Sequence, residues 1–143
     1  MEYTLIIDPE KEESLVLTMH ERNETVEAIE RIIGSKSSYL TAYGETDAVR
    51  FFINEADCYF TDSNKVFACI GSKKYLLKQR LYQVEECLGD EFIRINQGCI
   101  INVNRVKKFD MSLVGTIKVI LANGFEDYIS RRQLKNVKRR FGI

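Results

Sequence analysis

The sequence predicts a mainly β fold with short helices, preceded by a small α+β extension. Three observations predict it. After about residue 47, short apolar runs rich in Phe, Tyr, Val and Ile recur at close intervals. Polar turns separate them, among them Asp62-Ser63-Asn64, Gly71-Ser72-Lys73 and Ala122-Asn123-Gly124. Apolar residues at helical spacing recur in only two stretches of that part.

The elements follow in order. Tyr3–Ile7 reads as a strand ended by Asp8-Pro9, because proline donates nothing to a ladder. Ser14–Met19 reads as a second strand. A helix follows, with Asn23 as its cap, Glu24 and Glu27 suiting its positive end, and Val26, Ile29 and Ile33 on one face. Gly34 stands where a left-handed C-terminal cap is needed. Ser35–Ser38 is a loop, and Tyr39–Tyr43 is a strand closed by Gly44. These pieces form the extension, residues 1–46, which packing on the domain, dimerisation or partner binding would all suit.

The main domain is expected over residues 47–143. Its strands are Val49–Ile53, Cys58–Thr61, Lys65–Ile70, Tyr75–Leu77, Phe92–Ile95, Cys99–Val103, Val106–Phe109, Ile117–Leu121 and Phe125–Ile129. A helix from Arg80 to Leu88 has Leu81, Val84 and Leu88 as its stripe and Gly89 as its stop. Asn123-Gly124 between two apolar runs is a strong hairpin signal. Arg131–Phe141 reads as a terminal helix with Leu134, Val137 and Phe141 on one face.

Composition narrows the function. No apolar run is long enough to span a membrane, and Met1-Glu2-Tyr3-Thr4 does not begin a secretory signal, so a cytoplasmic protein without membrane insertion is expected. Cys58, Cys69, Cys87 and Cys99 are far apart and His20 is the lone histidine, so no metal site and no cofactor is expected. The four cysteines are expected to be buried or half-buried thiols. No nucleophile–base pair, P-loop or dinucleotide fingerprint is present, so no catalytic residue is assigned and the chain is not read as an enzyme. The formal charge is zero, but it divides unevenly. Residues 1–60 hold 5 Lys/Arg against 13 Asp/Glu, and residues 61–143 hold 16 against 8. The basic half points to a polyanionic partner.

The basic charge peaks at the C-terminus. Arg131, Arg132, Lys135, Lys138, Arg139 and Arg140 fall in a stretch without an acid. Arg131, Lys135 and Lys138 share one helical face. Cations near a helix C-terminus suit its dipole, which accounts for Lys138, Arg139 and Arg140. Arg131 and Arg132 sit at the opposite end, where the dipole disfavours them. An anion there, such as a DNA phosphate, or a base edge resolves that conflict. A second feature is Phe92-Ile93-Arg94-Ile95-Asn96-Gln97-Gly98-Cys99-Ile100-Ile101-Asn102, in which apolar runs flank a polar tip.

As a set, Phe92-Ile93-Arg94, Ile100-Ile101-Asn102, Asn123-Gly124 and Ser130-Arg131-Arg132 before a basic helix resemble the LytTR DNA-binding family. The Leu-rich helix over Leu81–Leu88 matches as well, and the resemblance runs in order from about Ala48 to Phe141. It implies three small antiparallel sheets with little helix. It also implies loops docked into successive major grooves, with a contact over the minor groove between them. Carried onto this chain, the first reading loop falls on Ser63-Asn64-Lys65 and the tip contact on Asn96 and Gln97. The second major-groove contact falls on Arg132, helped by Arg131 and Gln133, with Lys65, Lys135 and Lys138 on phosphates. The tip departs from the family, which usually has a basic residue then Ser where this chain has Gln97 and Gly98. The stretch before residue 47 is too short for a phosphoryl-receiver domain, so the stand-alone subtype of this response-regulator-like family is expected.

The function expected is sequence-specific binding of double-stranded promoter DNA by a bacterial transcription regulator. It would act as a homodimer on repeated sites, and a regulatory protein partner is compatible with the extension. The alternative is a protein-interaction module that keeps only nonspecific DNA binding.

Overall fold

The computed structural model describes residues 3–12, 14–34 and 39–143. Among them, Tyr3–Ile7 and Ser14–Met19 are not strands, contrary to the expectation from their apolar alternation. Their side chains are strand-like, but among the described residues no neighbouring strand completes a ladder, and Leu5, Ile6, Ile7, Leu15 and Val16 stay exposed. Helix α1 (Glu24–Gly34) begins as expected, with Val26 N–H donating to Asn23 Oδ1 at 3.1 Å. The cap expected after Gly34 and the loop Ser35–Ser38 lie outside the described residues.

The strands that follow are β1 (Tyr39–Tyr43), β2 (Ala48–Phe52), β3 (Cys58–Asp62), β4 (Lys65–Ile70), β5 (Lys73–Leu77), β6 (Phe92–Asn96) and β7 (Cys99–Asn102). They form one antiparallel sheet in the order β2-β1-β5-β4-β3-β7-β6. The β1–β2 hairpin joins the rest through the single register pair Tyr43–Leu76. A second sheet, ordered β10-β9-β8, comprises β8 (Val106–Asp110), β9 (Lys118–Leu121) and β10 (Glu126–Tyr128). Three small antiparallel units are therefore recognisable, two of them linked at that one pair.

Turn chemistry sets the register. Ser63 and Asn64 both have positive φ, 51° and 64°, as a two-residue hairpin between Asp62 and Lys65 requires. Asn123-Gly124 makes a hairpin too, but with a three-residue loop. Gly124 N–H returns to the Leu121 carbonyl and Gly124 itself takes φ 91°. Asn123 Nδ2 also donates to the Gly71 carbonyl at 2.9 Å, tying this loop to the β4–β5 turn.

The large sheet buries both faces, because successive strand residues point to opposite sides. Tyr59, Ala68, Tyr75 and Ile100 join one core cluster with Leu81 and Val84 of α2 (Leu81–Cys87). Cys58, Cys99 and Ile101 join the other, with Val119 and Leu121 of the small sheet and Val137 of α3 (Arg131–Phe141). Helix α2 stops on Leu88 in an extended conformation rather than on a left-handed Gly89. Helix α3 ends as an αL cap at Gly142.

Three cysteines meet the expectation of burial or half-burial, and Cys87, at the exposed end of α2, does not. It is the last residue of the helix, one turn beyond Val84, where the core cover given by Leu81 and Val84 ends. The hydrogen bond with Cys69, together with burial, raises the pKa of the Cys58 thiol, and burial raises that of Cys99.

Asn102 closes the sheet. It is 4 % exposed, its Nδ2 donates to the Asn54 and Ala56 carbonyls at 3.3 and 3.2 Å, and its Oδ1 accepts from Asn104 N–H at 3.0 Å. Asn102→Ala strands those groups in the interior. The variant should lose roughly 1–3 kcal/mol, the usual cost of unsatisfied buried polar groups. Denaturant unfolding checks this, and an unchanged midpoint would contradict the role given to the amide.

Candidate nucleic-acid interface

The residues that the sequence singles out lie far apart in the chain, and hydrogen bonds bring their segments to one rim. Strand β3 pairs with β7 through Phe60–Cys99, and Thr61 N–H then donates to the Gly98 carbonyl at 2.8 Å. This sets the β3–β4 turn, with Asn64 and Lys65, beside the β6–β7 turn, with Asn96 and Gln97. The second junction is Asn96. Its Nδ2 donates to the Tyr128 carbonyl at 2.8 Å and to Asp127 Oδ2 at 3.0 Å, on the strand that leads into α3. Ser130 N–H donates to the Ile95 carbonyl at 2.9 Å one residue before the helix begins. The rim therefore runs from the β3–β4 turn, through the tip, to the N-terminus of α3.

Along this rim the side chains divide into two kinds. Asn96 is occupied. Both amide hydrogens are donated, and Oδ1 accepts from Gly98 N–H at 2.9 Å. Gln97 is exposed, while its backbone carbonyl is held by Arg94 at 2.7 Å. Arg94 in turn pairs with Glu85 of α2 at 2.6 Å, so the tip is clamped from beneath. Asn64 and Lys65 are exposed at the turn. Gly98 is required by its neighbour, since a Cβ there would lie 2.5 Å from Thr61 Oγ1.

Helix α3 carries the strongest charge. Val137 is fully buried, while Leu134 and Phe141 are half-buried, and Phe141 meets Phe109 edge-on at 4.9 Å between ring centres. This apolar face holds the helix on the domain and leaves Arg131, Arg132, Lys135 and Lys138 exposed, with Gln133 half-buried. Its first turn has no acid, and Ser130 makes no side-chain cap. Among the described residues, none of Arg131, Arg132, Lys135 and Lys138 takes an ion-pair partner. Two exposed arginines thus stand in the first turn of a helix, at the positive end of its dipole, with no ion-pair partner among the described residues.

An open groove beside the first turn brings together Asn64, Lys65 and Gln97 with Lys78, Arg80 and Arg94. Lys78 and Arg80 were missed among the candidate residues. The signal was present as four cations and no acid from Lys73 to Arg80. Lys78 Nζ sits 4.8 Å from the Tyr43 ring centre, which braces it at the groove. The described residues hold no cluster of metal-ligating side chains.

The Asn96 junction makes a testable demand. Asn96→Ala should lower stability by roughly 1–2 kcal/mol, because it frees partners on β10 and in the tip. Asn96→Asp should be worse at neutral pH, since it loses the donors and sets a carboxylate against Asp127. Thermal melts of both variants check the order, and an aspartate variant as stable as the wild type would refute it.

Three comparisons bear on this arrangement. The family model described as the LytTr DNA-binding domain matches residues 45–142. A solved structure of the LytTr DNA-binding domain of a putative methyl-accepting/DNA response regulator from Bacillus cereus superposes with a TM-score of 0.67. It covers 74 % of this chain and 98 % of its own at 20 % identity, a likeness of fold. An uncharacterized HTH-type transcriptional regulator of Staphylococcus aureus (strain NCTC 8325 / PS 47) is 32 % identical over 146 residues, covering 100 % of this chain and 99 % of its own. A counterpart from the bovine strain RF122 / ET3-1 is 29 % identical with the same coverage. Among the described residues, no two helices of this chain are joined by a short turn, because five strands separate α2 from α3. From the fold, the ordered motifs and the family match together, the chain belongs to the LytTr DNA-binding domain family.

Proposed function

We propose that this protein is a bacterial transcription regulator that binds double-stranded promoter DNA sequence-specifically in the cytoplasm and has no catalytic activity. The observation that carries the reading is the rim of exposed cations and amides drawn from three distant segments, where Arg131, Arg132, Lys135 and Lys138 take no ion-pair partner among the described residues. The β3–β4 turn, with Asn64 and Lys65, enters one major groove. The N-terminus of α3 enters the next, where Arg132 reads a base edge and Arg131 and Gln133 assist. Lys65, Lys78, Arg80, Lys135 and Lys138 meet phosphates and set the register. Gln97 lies over the minor groove between them. Asn96 acts by positioning that tip rather than by contacting a base, since its amide is already committed. A homodimer on two repeated sites suits the size of the module, because one small unit seldom supplies a genome-level specificity ratio.

A binding selection on randomised duplex DNA near physiological salt tests this. Enrichment of a short motif, in two spaced copies, is the expected outcome. Retention of DNA without any motif would leave only the electrostatic term and favour the interaction-module alternative.

Two substitutions separate reading from anchoring. Arg132→Ala should cost roughly 1–3 kcal/mol on the selected sequence and relax the preference at one position. Retained affinity with an unchanged preference would remove Arg132 from its assigned place. Lys135→Ala should weaken all sequences alike and reduce the salt slope by about one. Affinity titrations at several salt concentrations measure it, and a loss confined to one sequence would count against a phosphate contact.

A further inference from the structure

One row of side chains on the large sheet is left unused by the rim. Cys58 on β3 stands directly opposite Cys69 on β4, and Cys69 in turn stands opposite Lys74 on β5. Both cysteines lie on the face that packs against the small sheet. Directly opposed residues of an antiparallel pair have Cα atoms about 4.5–5.5 Å apart. Disulfides span Cα separations of about 4.4–6.8 Å, so the backbone already holds the two residues at bonding range. Their thiols are hydrogen-bonded to each other, and the Asn123 side chain reaches Cys69 as well.

The two sulfurs are not equivalent. Cys58 is buried and Cys69 is half-buried. The hydrogen bond from Cys58 lowers the pKa of the Cys69 thiol. The Asn123 side chain and the Lys74 ammonium act in the same direction, against burial and the Asp57 carboxylate. Arg105, 3.6 Å from that carboxylate, offsets part of its charge. The same hydrogen bond, with burial, raises the Cys58 thiol, and burial raises Cys99 of β7. A partly exposed sulfur that favours the thiolate, beside a second and buried thiol, matches the pairing of an attacking with a resolving cysteine.

We propose that Cys58 and Cys69 form a thiol–disulfide site oxidised by a hydroperoxide, with Cys69 attacking and Cys58 resolving. With hydrogen peroxide, the Cys69 thiolate sulfur bonds to one oxygen and the O–O bond breaks. The released hydroxide takes back the proton that Cys69 gave to solvent and leaves as water, and Cys69 is now a sulfenic acid. The Cys58 sulfur then attacks the Cys69 sulfur. The S–O bond breaks, and the Cys58 proton departs with that hydroxyl as a second water. Two thiols and one peroxide thus give one disulfide and two waters, the sulfurs losing the two electrons that the peroxide gains. The bond closes a covalent ring through the β3–β4 hairpin, whose turn carries Asn64 and Lys65. The site stands independently of the regulator reading, since the thiols themselves are read.

Peptide mapping of the full chain tests it, after brief exposure to equimolar hydrogen peroxide and blocking of the remaining thiols with iodoacetamide in denaturant. Trypsin cuts after Lys65, between the two cysteines, so their peptides stay together only through a disulfide. The expected product is the Cys58–Cys69 linked peptide, which dithiothreitol separates into its halves. Cys58→Ser should lose the link and accumulate a sulfenic acid at Cys69 that dimedone traps. Cys69→Ser should leave Cys58 fully open to iodoacetamide after the same exposure. The wild-type map holds whether or not either variant folds. Cys58 and Cys69 both found alkylated while Cys87 is oxidised, or either of them joined to Cys87 or Cys99 instead, would overturn the proposal. No dimedone adduct at Cys69 in a folded Cys58→Ser variant would strip Cys69 of the attacking role.

Discussion

The arrangement depends on where β3 sits. It has β4 on one side and β7 on the other, and its partner β7 lies some forty residues further along the chain. Both faces are buried, with Tyr59 in one core and Cys58 in the other, so a slip of one residue would exchange the two sets. The approach to β3 is fixed as firmly. Asp57 is buried, its Oδ2 accepts from Gly71 N–H at 2.7 Å, its backbone N–H donates to the Cys69 carbonyl, and its carbonyl accepts from Asn102 N–H. Arg105 stands 3.6 Å from the same carboxylate. A strand held in this way fixes the β3–β4 and β6–β7 turns relative to each other, and the rim follows.

The same logic explains how α3 tolerates its charge. Like charges one helical turn apart repel by only a few tenths of a kcal/mol per pair. Burial of Val137, with partial burial of Leu134 and Phe141, outweighs this, at about 0.8 kcal/mol per buried methylene. The helix is therefore stabilised by its apolar face, which leaves its polar face free to carry cations that stability alone would not select. The tip shows the complementary design. Arg94 and Asn96 are spent on holding the backbone, and Gln97 is the side chain left facing outward.

Local chemistry was legible in the sequence. The Ser63-Asn64 and Gly71-Ser72 turns, the Asn123-Gly124 hairpin, the Asn23 cap and the apolar faces of α2 and α3 follow from short-range rules, and the structure contains each. What depends on distant partners was not. Tyr3–Ile7 has the composition of a strand, but a strand exists only beside another. The commitment of the Asn96 amide needs Asp127 and Tyr128, thirty-one and thirty-two residues away. Lys78 and Arg80 gain a place beside Lys65 and Gln97 only through the groove that the folded strands form. The three segments of the rim were named from the sequence by resemblance, and their convergence is a long-range property that no single window contains.

The contact between Gly98 and Thr61 carries a historical consequence. With only 2.5 Å between a would-be Cβ at 98 and the Thr61 hydroxyl oxygen, the two positions are not free to drift separately. A lineage that acquires a side chain at 98 has an easier path if position 61 has first lost its hydroxyl, and a harder one in the opposite order. The path by which such a tip changes is thus directional. A substitution at 61 that removes the hydroxyl therefore widens the set of residues that fit at 98.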